Sequence, residues 1–168
     1  MAYTGFISNP HYTRDDTDET IEGNWTFTKT IRGTALNAKW GDLAEIYACD
    51  PNEVLIPGTV VKFGGKYEIT KVGPNAREFF GVISTNPGVV LNKKEENGEK
   101  VALVGRVPVR IVGEVHKFDK ITTSKYAGIA KRKTWLDTLL LKPTIGVSLK
   151  TDTNENEKLV EVFVKSHR

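Results

Sequence analysis

The run VALVGRVPVRIVGEV, Val101–Val115, alternates two kinds of residue with a period of two. Val101, Leu103, Val107, Val109, Ile111 and Val115 fall on one side, with Arg106, Arg110, Glu114 and the following His116 on the other. That spacing predicts a strand with one face on a core and the other in water. Pro108 has no amide hydrogen to give to a neighbour, so it marks an edge or a bulge within this strand.

Upstream, the pattern repeats in shorter pieces. EVLIPGTVVKFGGKYEITKV, residues 53–72, reads as three strands parted by turns at Pro57-Gly58 and Gly64-Gly65. EFFGVISTNPGVVLN, residues 78–92, breaks at Asn86-Pro87-Gly88, and KKEENGEK reads as a polar loop with Asn97-Gly98 as its tight turn. Downstream, HKFDKITTSKYAGIAK, residues 116–131, is a further strand-turn pattern, and TIGVSLKT and KLVEVFVK form a closing pair around DTNENE. Short strands at regular spacing predict a mainly β chain folded as a compact barrel or sandwich.

One stretch departs from this pattern. KRKTWLDTLLLKP, residues 131–143, is the best helix candidate: Thr134 stands where a cap belongs, Asp137 follows three residues on, and Pro143 stops the run. At barely two turns, an apolar strand is the alternative.

The first residues, to about Thr34, have little apolar content and read as an extended arm. RDDTDETIEG is acidic, and NWTFTKTI after it alternates Trp25, Phe27, Lys29 and Ile31 with threonines. A single strand cannot hide that greasy face, so it must lie on the body of the protein or on copies of itself. Two units follow: an arm over residues 1–34 for trimerisation or docking, and a β-rich domain over residues 35–168.

Tests for chemistry come back empty. The 168 residues carry 24 Lys and Arg against 21 Asp and Glu, too even a balance to imply nucleic acid or membrane binding. Cys49 is the single cysteine, which excludes an intrachain disulfide and argues against zinc. With Asp50 beside it, Cys49 reads as a small buried apolar residue. Asp42 and Glu45 would share a face if WGDLAEIY were a helical turn, yet the expected arrangement has both acids solvated or capping a turn while Trp40, Leu43 and Ile46 pack inward. Asp15, Asp16, Asp18, Glu19 and Glu22 do not match the register of a calcium loop. Lys125, Lys131, Arg132 and Lys133 near Tyr126 and Trp135 read as a solvated face. Asn24-Trp25-Thr26 is a chance sequon, the opening residues lack the pattern of a signal peptide, and no apolar run is long enough to span a bilayer. The expectation is a protein made in the cytoplasm that is not an enzyme, with no cofactor, no metal, no nucleic-acid partner and no membrane insertion.

GTALNAKWGDLAEIYACD, IPGTVVKFGGKYEIT, FFGVISTNPGVVLN and VALVGRVPVRIVGEV, in this order over Gly33–Val115, together resemble a domain of tailed-bacteriophage fibre proteins. ISTNPG followed by the VGRVPVRI alternation is the specific part. A looser match continues through KFDKITTSKYAGIAK to IGVSLKT and LVEVFV, and ETIEGNWTFTKTI resembles the strand segments that precede such domains. The resemblance implies a homotrimeric virion structural protein, made in the bacterial host cytoplasm, at or near the fibre-bearing parts of a phage. The partners it implies are other virion proteins of the tail, baseplate, collar or capsid, and a host surface receptor. KWGDLAEIYACD then becomes the junction where the arm enters the domain. Two relatives supply alternatives: small capsid decoration or head-fibre proteins, whose rhythm is similar to PGTVV, GVIS, GRVPV and IGVSL, and C-terminal intramolecular chaperones that cut themselves off. The chain departs from the fibre pattern at residues 131–143, an apolar insertion that is either an interface or core filling. The expected trimer or docking residues are Trp25, Phe27, Ile31, Trp40, Leu43, Trp135, Leu136, Leu139 and Leu140.

Overall fold

A computed structural model describes residues 41–93, 95 and 97–166. The expectations for residues 1–34, including those for Trp25, Phe27 and Ile31, and the one for Trp40 lie outside the described residues. In chain order the strands are β1 (Asp42–Ala48), β2 (Val60–Phe63), β3 (Ile69–Lys71), β4 (Gly81–Ile83), β5 (Val89–Leu91), β6 (Gly98–Ile111), β7 (Lys120–Thr123) and β8 (Ala130–Arg132). A short helix, α1 (Trp135–Leu139), precedes β9 (Gly146–Ser148) and β10 (Lys158–Lys165).

The described chain is mainly β, and the alternating run of residues 101–111 is its spine. β6 pairs with β10, β10 with β9, β9 with β7 and β7 with β8, all antiparallel. β8 returns to β6 in parallel through Ala130 and Ile111, closing five strands into a barrel. The first half of β6 carries the rest of the sheet: β1 with β5 on its far side, and β4 leading to β2 and β3. Closure leaves these five strands no free edge for another chain to pair with.

Two clusters make the core. Val107, Val109 and Ile111 meet Val160, Val162 and Val164 inside the barrel, with Ile121, Ala130 and Ile145 completing it. The second cluster holds Cys49, Leu55, Val61, Ile69, Phe80, Ile83 and Val101, with Tyr47 and Leu103 against it. Each fully buried aliphatic contributes about 1.5–3 kcal/mol.

The one-sided alternation expected over residues 101–115 does not hold throughout. Leu43 pairs with Val104 and Ala44 with Ala102, so β6 bulges at Leu103. Across that bulge the inward parity changes: Val101 and Leu103 serve the second cluster, whereas Ala102 joins Val107 in the barrel core. An extra residue in one strand shifts every later side chain to the other face. Gly105 sits just beyond the bulge at φ 123, where a Cβ would stand 2.1 Å from the Gly41 carbonyl oxygen. Only glycine fits both the backbone and the gap.

Pro108 falls inside the strand for a local reason. The Arg106 amide donates to the Gly41 carbonyl and the Arg110 amide to the Gly58 carbonyl, both on the side away from β10. The amide position of residue 108 lies between these two, where a missing hydrogen costs nothing. The expected strand over Glu53–Ile56 is instead a loop with Leu55 buried, tied down by the Thr70 hydroxyl and the Lys71 amide donating to the Glu53 carboxylate. Among the described residues no helix is long and apolar enough to cross a membrane.

Candidate functional site

The apolar insertion is a helix, as its cap predicts. The Asp137 amide donates to Thr134 Oγ1, and Asp137 Oδ2 accepts from the Thr134 amide at 2.9 Å, forming a complete capping box. Its amphipathicity is reversed. The acid of the box points into the protein and is buried, while Trp135, Leu136, Leu139, Leu140 and Leu141 are exposed by 78, 48, 69, 43 and 79%.

A polar layer between loop and barrel wall causes this. Lys131 Nζ lies 2.7 Å from Asp137 Oδ2, and Lys142 Nζ lies 3.3 Å from Oδ1. Lys142, itself buried, also donates to Asn75 Oδ1 at 2.9 Å and to the Thr123 carbonyl at 3.4 Å. Lys133 Nζ donates to the Lys142 carbonyl and to Thr144 Oγ1, and the Thr122 hydroxyl donates to the Pro143 carbonyl. Among the described residues every buried side-chain nitrogen or oxygen has a partner. A satisfied network of this kind fixes one geometry, because any shift would leave a buried charge unpaired. Burial works against the Asp137 carboxylate, yet the Lys131 ammonium and the Thr134 amide and hydroxyl outweigh it and hold its pKa well below the usual carboxylate range.

Beside the loop lies a groove of about 460 Å³, walled by Phe63, Phe80, Arg77, Pro143 and Thr144. The Phe63 and Phe80 rings meet at a tilt of 31° with centroids 3.8 Å apart, and Tyr47 meets Phe80 edge-on at 5.0 Å. Arg77 is exposed and makes no ion pair among the described residues. It also borders the hollow under Leu136 and Leu140, so groove and loop are neighbours.

Core filling is therefore not what residues 131–143 do. Trp135, Leu136, Leu139 and Leu140 are all exposed on this short segment, and so is Leu141. Leu43 is elsewhere, half-buried on β1 between Val89 and Val104, both exposed. The expected solvated face of Lys125, Lys131, Arg132 and Lys133 is divided: Lys125 and Arg132 are exposed, but Lys131 and Lys133 are tied under the loop. Lys142 and Asn75 complete the anchor and carry no sequence signal, since a lysine before a proline reads as a solvated helix end.

The acids of β1 also differ from expectation. On a strand, residues three apart face opposite ways. Asp42 is buried and accepts from the Ser84 hydroxyl at 2.7 Å, while Glu45 accepts from the Tyr47 hydroxyl at 2.7 Å. Asp42 and Ala44 are the buried residues of β1, while Leu43 and Ile46, expected to pack inward, are half-buried. Cys49 is buried as anticipated, and burial, then Glu99, Glu53, Asp50 and Glu95, push its thiol pKa up. Among the described residues no group of three or more His, Cys, Asp or Glu side chains is placed to hold a metal ion.

No family model matches the chain, and no curated protein matches its sequence. Among the solved structures that share its fold are two of one bacteriophage protein. The crystal structure of the pre-mature bacteriophage phi29 gene product 12 matches with a TM-score of 0.57 at 16% identity, over 87% of this chain and 24% of that one. The crystal structure of the C-terminal fragment of the same gene product matches with a TM-score of 0.54 at 18% identity, over 74% of this chain and 100% of the fragment. The chain thus spans about a quarter of the longer protein and the whole of its C-terminal fragment. At this identity the likeness is one of fold.

Proposed function

We propose that this chain is a non-enzymatic structural component of a bacteriophage particle, related to tail-fibre proteins, that assembles as a homotrimer and joins or presents virion parts. The observation that carries this reading is the loop of residues 134–143, held rigidly with its polar side inward and five large apolar side chains outward. A chain that works alone gains nothing from spending a buried ion network on displaying leucines to water. Covering such side chains between subunits contributes about 1.5–3 kcal/mol for each one fully buried. The shared fold with a bacteriophage gene product supports a virion setting. In this account the arm of residues 1–34 docks the assembly on a larger part or adds to the trimer.

Gold-labelled antibody against the barrel domain, applied to intact particles, tests the role. Labels on the fibre-bearing parts are expected. Labels confined to heads would favour a decoration protein, and unlabelled particles would count against any virion role.

A second reading is favoured by one observation: the fold accounts for the whole of a fragment defined as C-terminal in its parent. In that reading the domain assists folding of a longer fibre chain and is cut from it. Incubating the longer chain and following its length on a denaturing gel distinguishes the two, since only the second predicts shortening.

A further inference from the structure

We infer that the groove between Phe63, Phe80 and Arg77 receives the Trp135–Leu141 loop of a second copy of this chain. The inference rests on the homotrimer reading and names the surfaces that would build it. Three features point to a second copy rather than to another partner.

First, one short segment makes both halves of the contact. Trp135–Leu141 forms the protrusion, and Pro143 and Thr144, directly after it, form a wall of the groove. Two different surfaces on one chain make a head-to-tail contact, in which each copy offers its protrusion to the next and receives one from the last; a turn of a third of a circle at each contact closes three copies into a ring.

Second, the surfaces match in kind. The protrusion exposes Trp135, Leu139 and Leu141 by 78, 69 and 79%, and the groove is walled by the touching rings of Phe63 and Phe80 and has a volume of about 460 Å³. Aromatic anchors seated in preformed apolar pockets are the usual centres of binding.

Third, the electrostatics agree. The groove wall carries the Arg77 guanidinium, which makes no ion pair among the described residues, and Lys62, whose ammonium is paired with Glu78 at 2.7 Å; the protrusion brings the exposed indole of Trp135. A guanidinium over an indole face is a favourable cation–π pair. The anchor of Asp137, Lys131 and Lys142 means that neither surface has to be ordered on contact.

The test uses two variants of the full chain and the mixture of both. Trp135→Ser with Leu139→Ser removes the protrusion, and Lys62→Trp with Arg77→Glu fills the groove and reverses its charge. All these positions are at least partly exposed, and denaturant midpoints check that the folds survive. Each variant alone should have the mass of one chain. Their one-to-one mixture should reach the mass of two chains and no more, because one sound protrusion meets one sound groove. In a Cys49→Ala background, Leu139→Cys and Arg77→Cys in one chain should be joined by a short bismaleimide into dimers and trimers, whereas either cysteine alone should leave single chains. Wild-type mass for either variant, a monomeric mixture, or cross-linking of a single-cysteine chain would each overturn the inference. A wild-type trimer in which only the groove variant keeps full mass would leave the leucines covered by another surface and the proposed assembly standing; a wild-type monomer would remove both.

Discussion

Lys142 Nζ and Asp137 Oδ1 face each other across 3.3 Å, both side chains buried, beneath a loop whose leucines stand in water. This pair explains how an apolar segment can be held open. The carboxylate takes donors from Lys131, Thr134 and Lys142, so the polar side of the loop is satisfied against the barrel. The apolar side is then the one left over.

Removing one partner of this pair should cost more than removing both. Asp137→Ala leaves the buried Lys142 ammonium with Asn75 and the Thr123 carbonyl alone. A loss of about 3 kcal/mol is expected, the lower end for breaking a buried pair. Asp137→Ala combined with Lys142→Met should recover more than half of it. Urea unfolding curves measure both, and equal loss in the single and double variants would contradict the assignment.

The same carboxylate sets an acid response. Its pKa is lower in the folded chain than in the unfolded one, where a free aspartate titrates at ~3.9. Its stabilisation is therefore complete above that pH and drains away as the pH falls below about 4 towards the folded value. Amide protection, measured against the intrinsic exchange rate at each pH, should fall for residues 134–142 in this window before it falls for β6 and β10. An Asp137→Asn chain should show no such early step, and an identical step in that variant would assign it to another group.

How much of this is legible in the sequence depends on the range of the interaction. The helix start is local, and Thr134 with Asp137 announces it whether the acid ends up wet or buried. That ambiguity is why the cap is readable and the inversion is not: the cations that pull Asp137 inward lie at Lys131 and Lys142, and the second depends on Asn75, 67 positions away. The alternation of Val160, Val162 and Val164 reads correctly because β10 has no bulge. In β6 the same rule fails at Leu103, where partner β1 is one residue short, a fact that only the pairing reveals. Asp42 is misread because an acid at the head of a strand looks solvated until Ser84 is brought to it from 42 positions away. Barrel closure rests on a single parallel register between Ile111 and Ala130, for which short strands give no cue.

Gly105 should tolerate no side chain. An added Cβ meets the Gly41 oxygen at 2.1 Å and Asp42 Cα at 2.6 Å, on a backbone at φ 123. Gly105→Ala should cost about 1–3 kcal/mol for the overpacking and about 1–3 kcal/mol more for the strain. Gly64, also at positive φ but with nothing within 4 Å, separates the two effects: Gly64→Ala should show the strain alone. Equal midpoints for the two alanine variants in urea would mean that the β1–β6 contact is looser than described.

The claim on which the functional account depends is that the outward leucines of residues 134–143 are covered by copies of the same chain. Light scattering on the purified full chain at micromolar concentration measures this directly. A mass of three chains, falling to one when Trp135 and Leu139 are both replaced by serine with the barrel still folded, is the predicted result. A stable single chain at that concentration, with Trp135 open to solvent quenchers, would contradict it.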